Sequence, residues 1–251
     1  MTTGTVRRVG FLGLGSMGGP MCANLAEHGF EVWAYDPRAE AVAAAAARGA
    51  IPCAKPAEVA RSVEATLAIP FDYAQVEQTV FGPKGVVEGL REASLVVVMS
   101  TIGPDNAREL GRRLAERGHR LVDAPVSGGA DGAAAGTLTV MVGGADEDVE
   151  RCRPIFAAFA ANIFHVGPQV GAGQAAKLAN QLLVVANLVA TVEALALSSR
   201  SGVDPHQLYE IISTCAGDSR VFRSRVPPIL DRSFKTGGTV NILVKDARLV
   251  L

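Results

Sequence analysis

Residues 9 to 18 read Val-Gly-Phe-Leu-Gly-Leu-Gly-Ser-Met-Gly, and few chain paths accommodate such a stretch. An apolar run (Val6, Val9, Phe11, Leu12) ends in Gly13-Leu14-Gly15-Ser16-Met17-Gly18. An amphipathic pattern then runs from Pro20 through Met21, Leu25 and Ala26 to a stop at Gly29. The order is strand, tight turn, helix. In such a turn the first glycine bends the chain, the second lets the backbone approach a pyrophosphate, and the third lets helix pack on strand. The N–H groups at the helix start then face the anion. Spaced glycines alone are a weak signal in a chain with 27 of them, and a turn that binds nothing is the plain alternative. A second β-like run, Glu31-Val-Trp-Ala-Tyr35, strengthens the case by ending in Asp36, whose carboxylate can accept hydrogen bonds from an adenosine ribose.

Beyond this turn, apolar β-like runs alternate with helical patterns through the first two thirds, the signature of a parallel sheet wrapped by helices. Ala39 to Arg48 reads as an alanine helix closed by Gly49. Thr66-Leu-Ala-Ile69 stops at Pro70. Leu95-Val-Val-Val-Met99 is an apolar, β-branched strand of the kind buried on both faces, followed by Ser100-Thr101. Pro70 and Thr101 fall at the carboxyl ends of their strands, the edge where such sheets bind ligands; a helix cap is the other reading of Ser100-Thr101. Between strands near 121–123 and 138–142 the spacing predicts a long loop rich in small residues. There Ser127-Gly128-Gly129 offers a hydroxyl and successive N–H groups suited to a carboxylate, unless the loop is merely a flexible crossover.

Helix Asp146 to Ala161 and a short strand at 163–166 complete the alternation, and the glycine-rich stretch 167–173 marks the clearest boundary. The pattern divides the chain into a nucleotide-binding α/β domain, residues 1–168, and an all-α domain, residues 169–251. From Gln174 to Arg200 runs one long helix, apolar nearly all round, which must be buried between domains or between subunits. Lys177 stands out on it as one of five lysines, with no Asp, Glu, Lys or Arg between Arg153 and Lys177 or between Lys177 and Glu193. Desolvation lowers the pKa of a buried ammonium toward neutrality, and a lysine tuned that way exchanges protons with a substrate oxygen. Asn180 and Gln181, one turn on, are candidates to orient it. The residues leave a second reading open, a lysine snorkelling to water. In the remainder, Asp204-Pro205 starts a helix with Leu208, Ile211 and Ile212 facing inward, and Pro227-Pro228 and Gly237-Gly238 interrupt later elements. The last pattern stops at Leu251 without a helix stop signal, so further C-terminal residues are expected.

The totals exclude several classes. A net charge of −1 gives no pull toward nucleic acid or an anionic membrane. The apolar stretch at 182–197 carries Asn187 and Glu193 and falls short of a clean membrane span. The first residues lack a basic start followed by an apolar block and cleavage site, so no export signal is expected. Four cysteines without a CxxC pair fit a reduced compartment, and four dispersed histidines suggest no metal site. A soluble cytoplasmic enzyme is expected.

These motifs together resemble the β-hydroxyacid dehydrogenase family, whose members interconvert small hydroxy acids and semialdehydes. The resemblance covers nearly the whole chain: Phe-Leu-Gly-Leu-Gly-Ser-Met-Gly with Pro20-Met21 and Asn24-Leu25, Met99-Ser-Thr-Ile102, Asp123-Ala-Pro-Val-Ser-Gly-Gly129 with Gly136-Thr-Leu138, Gly167 through Lys177-Leu-Ala-Asn180, and Lys245-Asp246. It implies a Rossmann-type doubly wound sheet followed by an all-α C-terminal domain, with Lys177 as general acid/base and Ser127, Gly128 and Gly129 as substrate anchor. Thr101, the Ile69-Pro70 pair and Lys245 would join the 13–18 turn at the cofactor. The family often carries an asparagine four residues after the lysine; here Gln181 stands there and Asn180 one earlier, so either amide is the candidate. Asp36 repels a 2′-phosphate and favours NAD, whereas Arg38 offsets that, which keeps NADP open. A homodimer or homotetramer is expected. The rivals are an imine reductase and a non-catalytic nucleotide sensor, and Lys177 argues against both.

Overall fold

The computed structural model describes residues 6–91, 94–233 and 239–250. Gly237-Gly238, expected to interrupt the late elements, lies outside the described residues. The chain forms two compact units, Met1–Leu178 and Ala179–Leu251.

The first unit is built on one sheet. In chain order it holds β1 (Arg8–Leu12), α1 (Gly18–Glu27), β2 (Glu31–Tyr35), α2 (Ala39–Ala46), β3 (Ile51–Pro52), α3 (Pro56–Ser62), β4 (Ala65–Ala68) and α4 (Tyr73–Phe81). There follow β5 (Leu95–Val98), α5 (Pro104–Ala115), β6 (Arg120–Asp123), β7 (Val126–Ser127), α6 (Gly129–Ala134), β8 (Leu138–Gly143), α7 (Asp146–Ala157) and β9 (Ala160–Gly167). The spatial order is β3-β2-β1-β4-β5-β6-β8-β7, with β9 beside β8. From β3 to β6 all pairs are parallel. The order reverses between β1 and β4, and a ligand crevice opens at the carboxyl ends of strands flanking such a reversal. Alternate side chains of each strand enter opposite layers: Phe11 packs with Met21, Leu25 and Phe156 on one face, and Leu12 with Val98, Ile102 and Leu110 on the other.

Two expectations change here. The sheet is not parallel throughout, because β8 runs antiparallel to β6 and β7. The stretch read as a long loop contains a two-residue strand and a six-residue helix. A parallel return needs a longer crossover, usually a full helix, so β8 enters reversed.

The glycine-rich stretch is tightly packed. Gly171 has φ +98°, and a Cβ on Gly173 would collide with the Met141 carbonyl oxygen and come within 2.8 Å of the Asp123 carboxylate. These glycines bring backbone against backbone where α8 (Ala172–Arg200) begins. By length and composition α8 is apolar enough to cross a membrane, more than its sequence suggested. Within the single chain it is buried along one side only. Gln174, Lys177, Gln181, Thr191, Leu195 and Ser198 form a narrow buried stripe at helical spacing, while Leu182, Leu183, Val189, Val192 and Leu197 are exposed.

The second unit continues α8 and adds α9 (Pro205–Ile212), α10 (Arg220–Leu230) and α11 (Val240–Val250). Asp204 caps α9 by accepting from the N–H groups of His206 and Gln207. Leu195, Phe222 and Val226 form its small core with Leu208 and Ile212, but Ile211, expected inside, is exposed. Pro227-Pro228 does not break α10. Pro227 removes the donor for the Arg223 carbonyl, and the Tyr209 hydroxyl donates to that oxygen instead, at 3.5 Å.

Gly173→Ala should lower the unfolding free energy by about 1–3 kcal/mol through overpacking. Gly167→Ala, whose Cβ would meet its nearest neighbour at 3.5 Å, should cost much less. Urea denaturation of the two variants checks this; equal losses would mean the junction is loosely packed.

Candidate active site

At the end of β1 the chain turns at Gly13, φ +94°, whose N–H donates to the Tyr35 carbonyl at 3.0 Å. A Cβ there would lie 2.9 Å from the Ile69 carbonyl oxygen, and one on Gly18 would collide with the Gly13 carbonyl. Gly15 differs: a Cβ on it would meet nothing within 4 Å. Gly13 and Gly18 thus serve packing, whereas Gly15 faces open space. No side chain caps the first turn of α1; the Gly19 N–H donates to the Gly15 carbonyl at 2.9 Å, and Pro20 has no N–H to offer. The turn and Ile69-Pro70 come together as the sequence predicts.

Asp36, at the end of β2, is 7 % exposed. Its Oδ2 accepts from the Leu14 N–H at 2.7 Å and from Arg38 Nη2 at 3.0 Å, and its Oδ1 accepts from the Arg38 backbone N–H at 2.9 Å and Nε at 2.8 Å. Burial pushes the carboxyl up, but these bonds outweigh it and hold the group below the usual carboxylate range. An open cavity of about 310 Å³ adjoins it, lined by Tyr35, Asp36, Pro37, Val42 and Cys53 among others.

Along the same sheet edge, Ser100 Oγ donates to the Pro70 carbonyl at 2.5 Å, joining the ends of β4 and β5 beside Thr101. The beginning of α8 is fastened to this edge twice. Asp123, fully buried at the end of β6, accepts from the N–H groups of Gly171 and Gln174 at 2.6 and 2.8 Å. The Gln174 side chain, also fully buried, accepts from the Ile102 and Gly103 N–H groups at 2.9 and 3.1 Å and donates to the Ser100 carbonyl at 3.0 Å. Lys177 follows one turn later and is buried, 7 % exposed, rather than extended into water.

The anchor candidates lie where β7 meets α6. Ser127 pairs with Thr139 of β8, and Gly128 and Gly129 have φ +134° and +68°, a region that favours glycine. Asn24 of α1 donates to the Ala133 carbonyl at 2.7 Å, tying α6 to the helix that follows the glycine turn. In the second unit Asn180 Nδ2 donates to Gln181 Oε1 at 3.0 Å, and Gln181 Nε2 to Asp246 Oδ2 at 2.5 Å. Lys245 Nζ lies 2.8 Å from Asp246 Oδ1. Both amides and Lys245 thus belong to one polar cluster centred on the buried Asp246.

Residues 8–167 match the family described as the NAD binding domain of 6-phosphogluconate dehydrogenase, and residues 171–251 match the NAD-binding family of NADP-dependent 3-hydroxyisobutyrate dehydrogenase. An L-threonate dehydrogenase from Cupriavidus necator is 40 % identical over 98 % of this chain and 82 % of its own length. The crystal structure of 3-hydroxyisobutyrate dehydrogenase from Salmonella typhimurium superposes with a TM-score of 0.88 at 35 % identity, over 97 % of this chain and 85 % of that one. The Mycobacterium tuberculosis 3-hydroxyisobutyrate dehydrogenase with L-serine gives 0.87 at 33 %, over 97 % and 84 %.

The chain belongs to the β-hydroxyacid dehydrogenase family. It is an NAD(P)-dependent oxidoreductase with a Rossmann domain followed by a helical one. The residues present fit a dinucleotide: Gly15 leaves the space a close backbone approach needs, and the Asp36 carboxylate borders a cavity at the end of β2.

For this family member, Gln174, Asn24 and Asp246 are what sequence reasoning missed. All three stood within recognised motifs without a role, since an amide on a helix reads as surface and Asp246 reads as a helix-face acid. Asp123 could have been found, because an acid ending an apolar strand must have partners.

Asp123 also makes the site's pH behaviour testable. Burial pushes its carboxyl up to about 6, against the downward pull of the Gly171 and Gln174 N–H groups. In the unfolded chain an aspartate titrates near ~4, so between those values the native state keeps a proton the unfolded state has lost. The contribution is full below about 4 and is lost as pH rises through about 6. The unfolding free energy of the wild type minus that of Asp123→Asn should therefore fall by about 2–3 kcal/mol across this window. Urea titrations at stepped pH measure it; a flat difference would mean an ordinary carboxyl.

Proposed function

We propose that this enzyme interconverts a small β-hydroxy acid and its semialdehyde, with Lys177 as general acid/base. The bound nicotinamide supplies hydride acceptance and return. In oxidation, neutral Lys177 takes the proton of the substrate hydroxyl as the carbinol C–H bond gives up its hydride. In reduction the ammonium form returns that proton to the developing alkoxide and stabilises its charge. Ser127 and the backbone of Gly128 and Gly129 hold the substrate carboxylate, and Asn180 or Gln181 orients the amine. The turn Gly13, Leu14, Gly15, Ser16, Met17 and Gly18, with Asp36, Arg38, Ile69, Pro70, Thr101 and Lys245, binds the cofactor.

The observation that carries this reading is the burial of Lys177 one turn beyond Gln174, on the part of α8 fastened to the carboxyl edge of β5 and β6. That edge is where sheets of this kind bind ligands. NAD is the preferred cofactor in this reading, because Asp36 disfavours a 2′-phosphate and engages the Arg38 guanidinium itself.

A panel of L-threonate, L-serine, 3-hydroxyisobutyrate and 2-(hydroxymethyl)glutarate, followed at the nicotinamide absorbance, tests substrate class. On the best substrate Lys177→Ala should lose about 10²- to 10⁴-fold in kcat while NADH binding survives, and NAD should outperform NADP. Near-normal turnover in the variant would refute the lysine's role, and a strong NADP preference the reading of Asp36.

The exposed Leu182, Leu183, Val189, Val192 and Leu197 of α8 support an assembly of two or four copies with this face at the interface, since grouped exposed apolar side chains mark interaction sites. Light scattering in detergent-free buffer should give a dimer or tetramer; a monodisperse monomer would sink the idea.

A further inference from the structure

Gln174 has no part in the chemistry above, yet its amide is fully buried and makes three hydrogen bonds to a single stretch of backbone. A buried amide is costly unless satisfied, and a satisfied polar network in a low dielectric rigidifies what it joins. The stretch it grips is Ser100 to Gly103, the turn between β5 and α5 that includes Thr101. Its own N–H donates to Asp123 Oδ2 at 2.8 Å. Gln174 is therefore tied to β6 through its main chain and to the β5 turn through its side chain. Lys177 stands three positions further on, so the two lie on the same face of consecutive turns. An aliphatic side chain would fill the volume and hold none of this.

We propose that Gln174 is a positioning residue: by clamping the Ser100–Gly103 turn to the start of α8, it fixes the cofactor side of the site relative to the turn that carries Lys177. The inference rests on the reading of Lys177 as acid/base, but the clamp has consequences that do not. Gln174→Met keeps the length and removes all three bonds. Gln174→Glu keeps an acceptor for the Ile102 and Gly103 N–H groups and, when protonated, a donor for the Ser100 carbonyl.

In the full-length enzyme, Gln174→Met should lower kcat about ten- to hundredfold, as expected for a small misplacement, with KM for the hydroxy acid changed by less than about threefold. NADH affinity, read by fluorescence titration, should weaken by about three- to tenfold for the lost bonds. Amide exchange at Ile102 and Gly103 should accelerate by about tenfold or more while the β5 amides stay protected. Gln174→Glu should recover most of the NADH affinity and the protection. A Met variant that melts earlier but retains kcat, NADH affinity and exchange within about twofold would reduce Gln174 to a structural residue and overturn the proposal. So would a Glu variant that loses as much as the Met variant. If the wild type binds NADH but oxidises nothing in the panel, the acid/base reading fails, and the affinity and exchange measurements still decide the clamp.

Discussion

Much of the first unit hangs on one carboxylate. Asp123 ends β6 with no exposure and faces the start of α8, whose N–H groups at Gly171 and Gln174 it accepts. A helix N-terminus is a favourable place for negative charge, through its free N–H groups and its dipole. Burial opposes this, and the balance leaves the carboxyl high, at about 6. The arrangement also dictates sequence elsewhere. A Cβ on Gly143 would collide with Asp123 Oδ1, and one on Gly173 would sit 2.8 Å from Oδ2, so two glycines far apart in the chain make room for one acid. What this grip achieves is placement. It sets the first turn of a 29-residue helix on the carboxyl edge of the sheet, and the position of Lys177 follows.

The cofactor side repeats the device with a different outcome. Asp36 also ends a strand and also accepts a backbone N–H from a neighbouring turn, that of Leu14. Unlike Asp123, it has a guanidinium in contact, with Arg38 Nε 2.8 Å from Oδ1. At Asp36 the hydrogen bonds, led by those of the guanidinium, outweigh desolvation, whereas at the more deeply buried Asp123 the backbone N–H groups do not. Two aspartates in similar topological positions therefore titrate in opposite directions from the ordinary value. The pinned Asp36 stays ionised across the physiological range.

The nucleotide fold was legible because its signals are local. The glycine turn, the apolar β5 and the acid after β2 each declare themselves within a few residues, and Lys177 stands out by its isolation. What escaped depended on distant partners. Pro227-Pro228 reads as a break until the Tyr209 hydroxyl is seen at the Arg223 carbonyl. The 124–137 stretch reads as a loop because alanine and glycine carry no period, yet β8 gives Ser127 a pairing partner and α1 gives Ala133 a hydrogen bond. Gln174 is the sharpest case. Nothing separates it from a surface glutamine except the three backbone groups it meets more than seventy positions earlier in the chain.

In the same helix hydropathy says little about which face the chain itself covers. α8 is apolar nearly all round, so hydropathy gives it no inside, yet its buried stripe is mostly polar, with Gln174, Lys177, Gln181, Thr191 and Ser198 on it. Hydrogen bonding keeps the amides of that stripe inside, Gln174 on the turn after β5 and Gln181 on Asp246. The apolar remainder then has to face outward, and Leu183 and Leu197 are 63 % and 70 % exposed. Each such side chain gains about 1.5–3 kcal/mol when fully covered, so a second copy seated along α8 would stabilise the element that carries the lysine without touching the stripe. In the proposed assembly, association and catalysis draw on opposite faces of one helix, and a loose interface would loosen the chemistry with it.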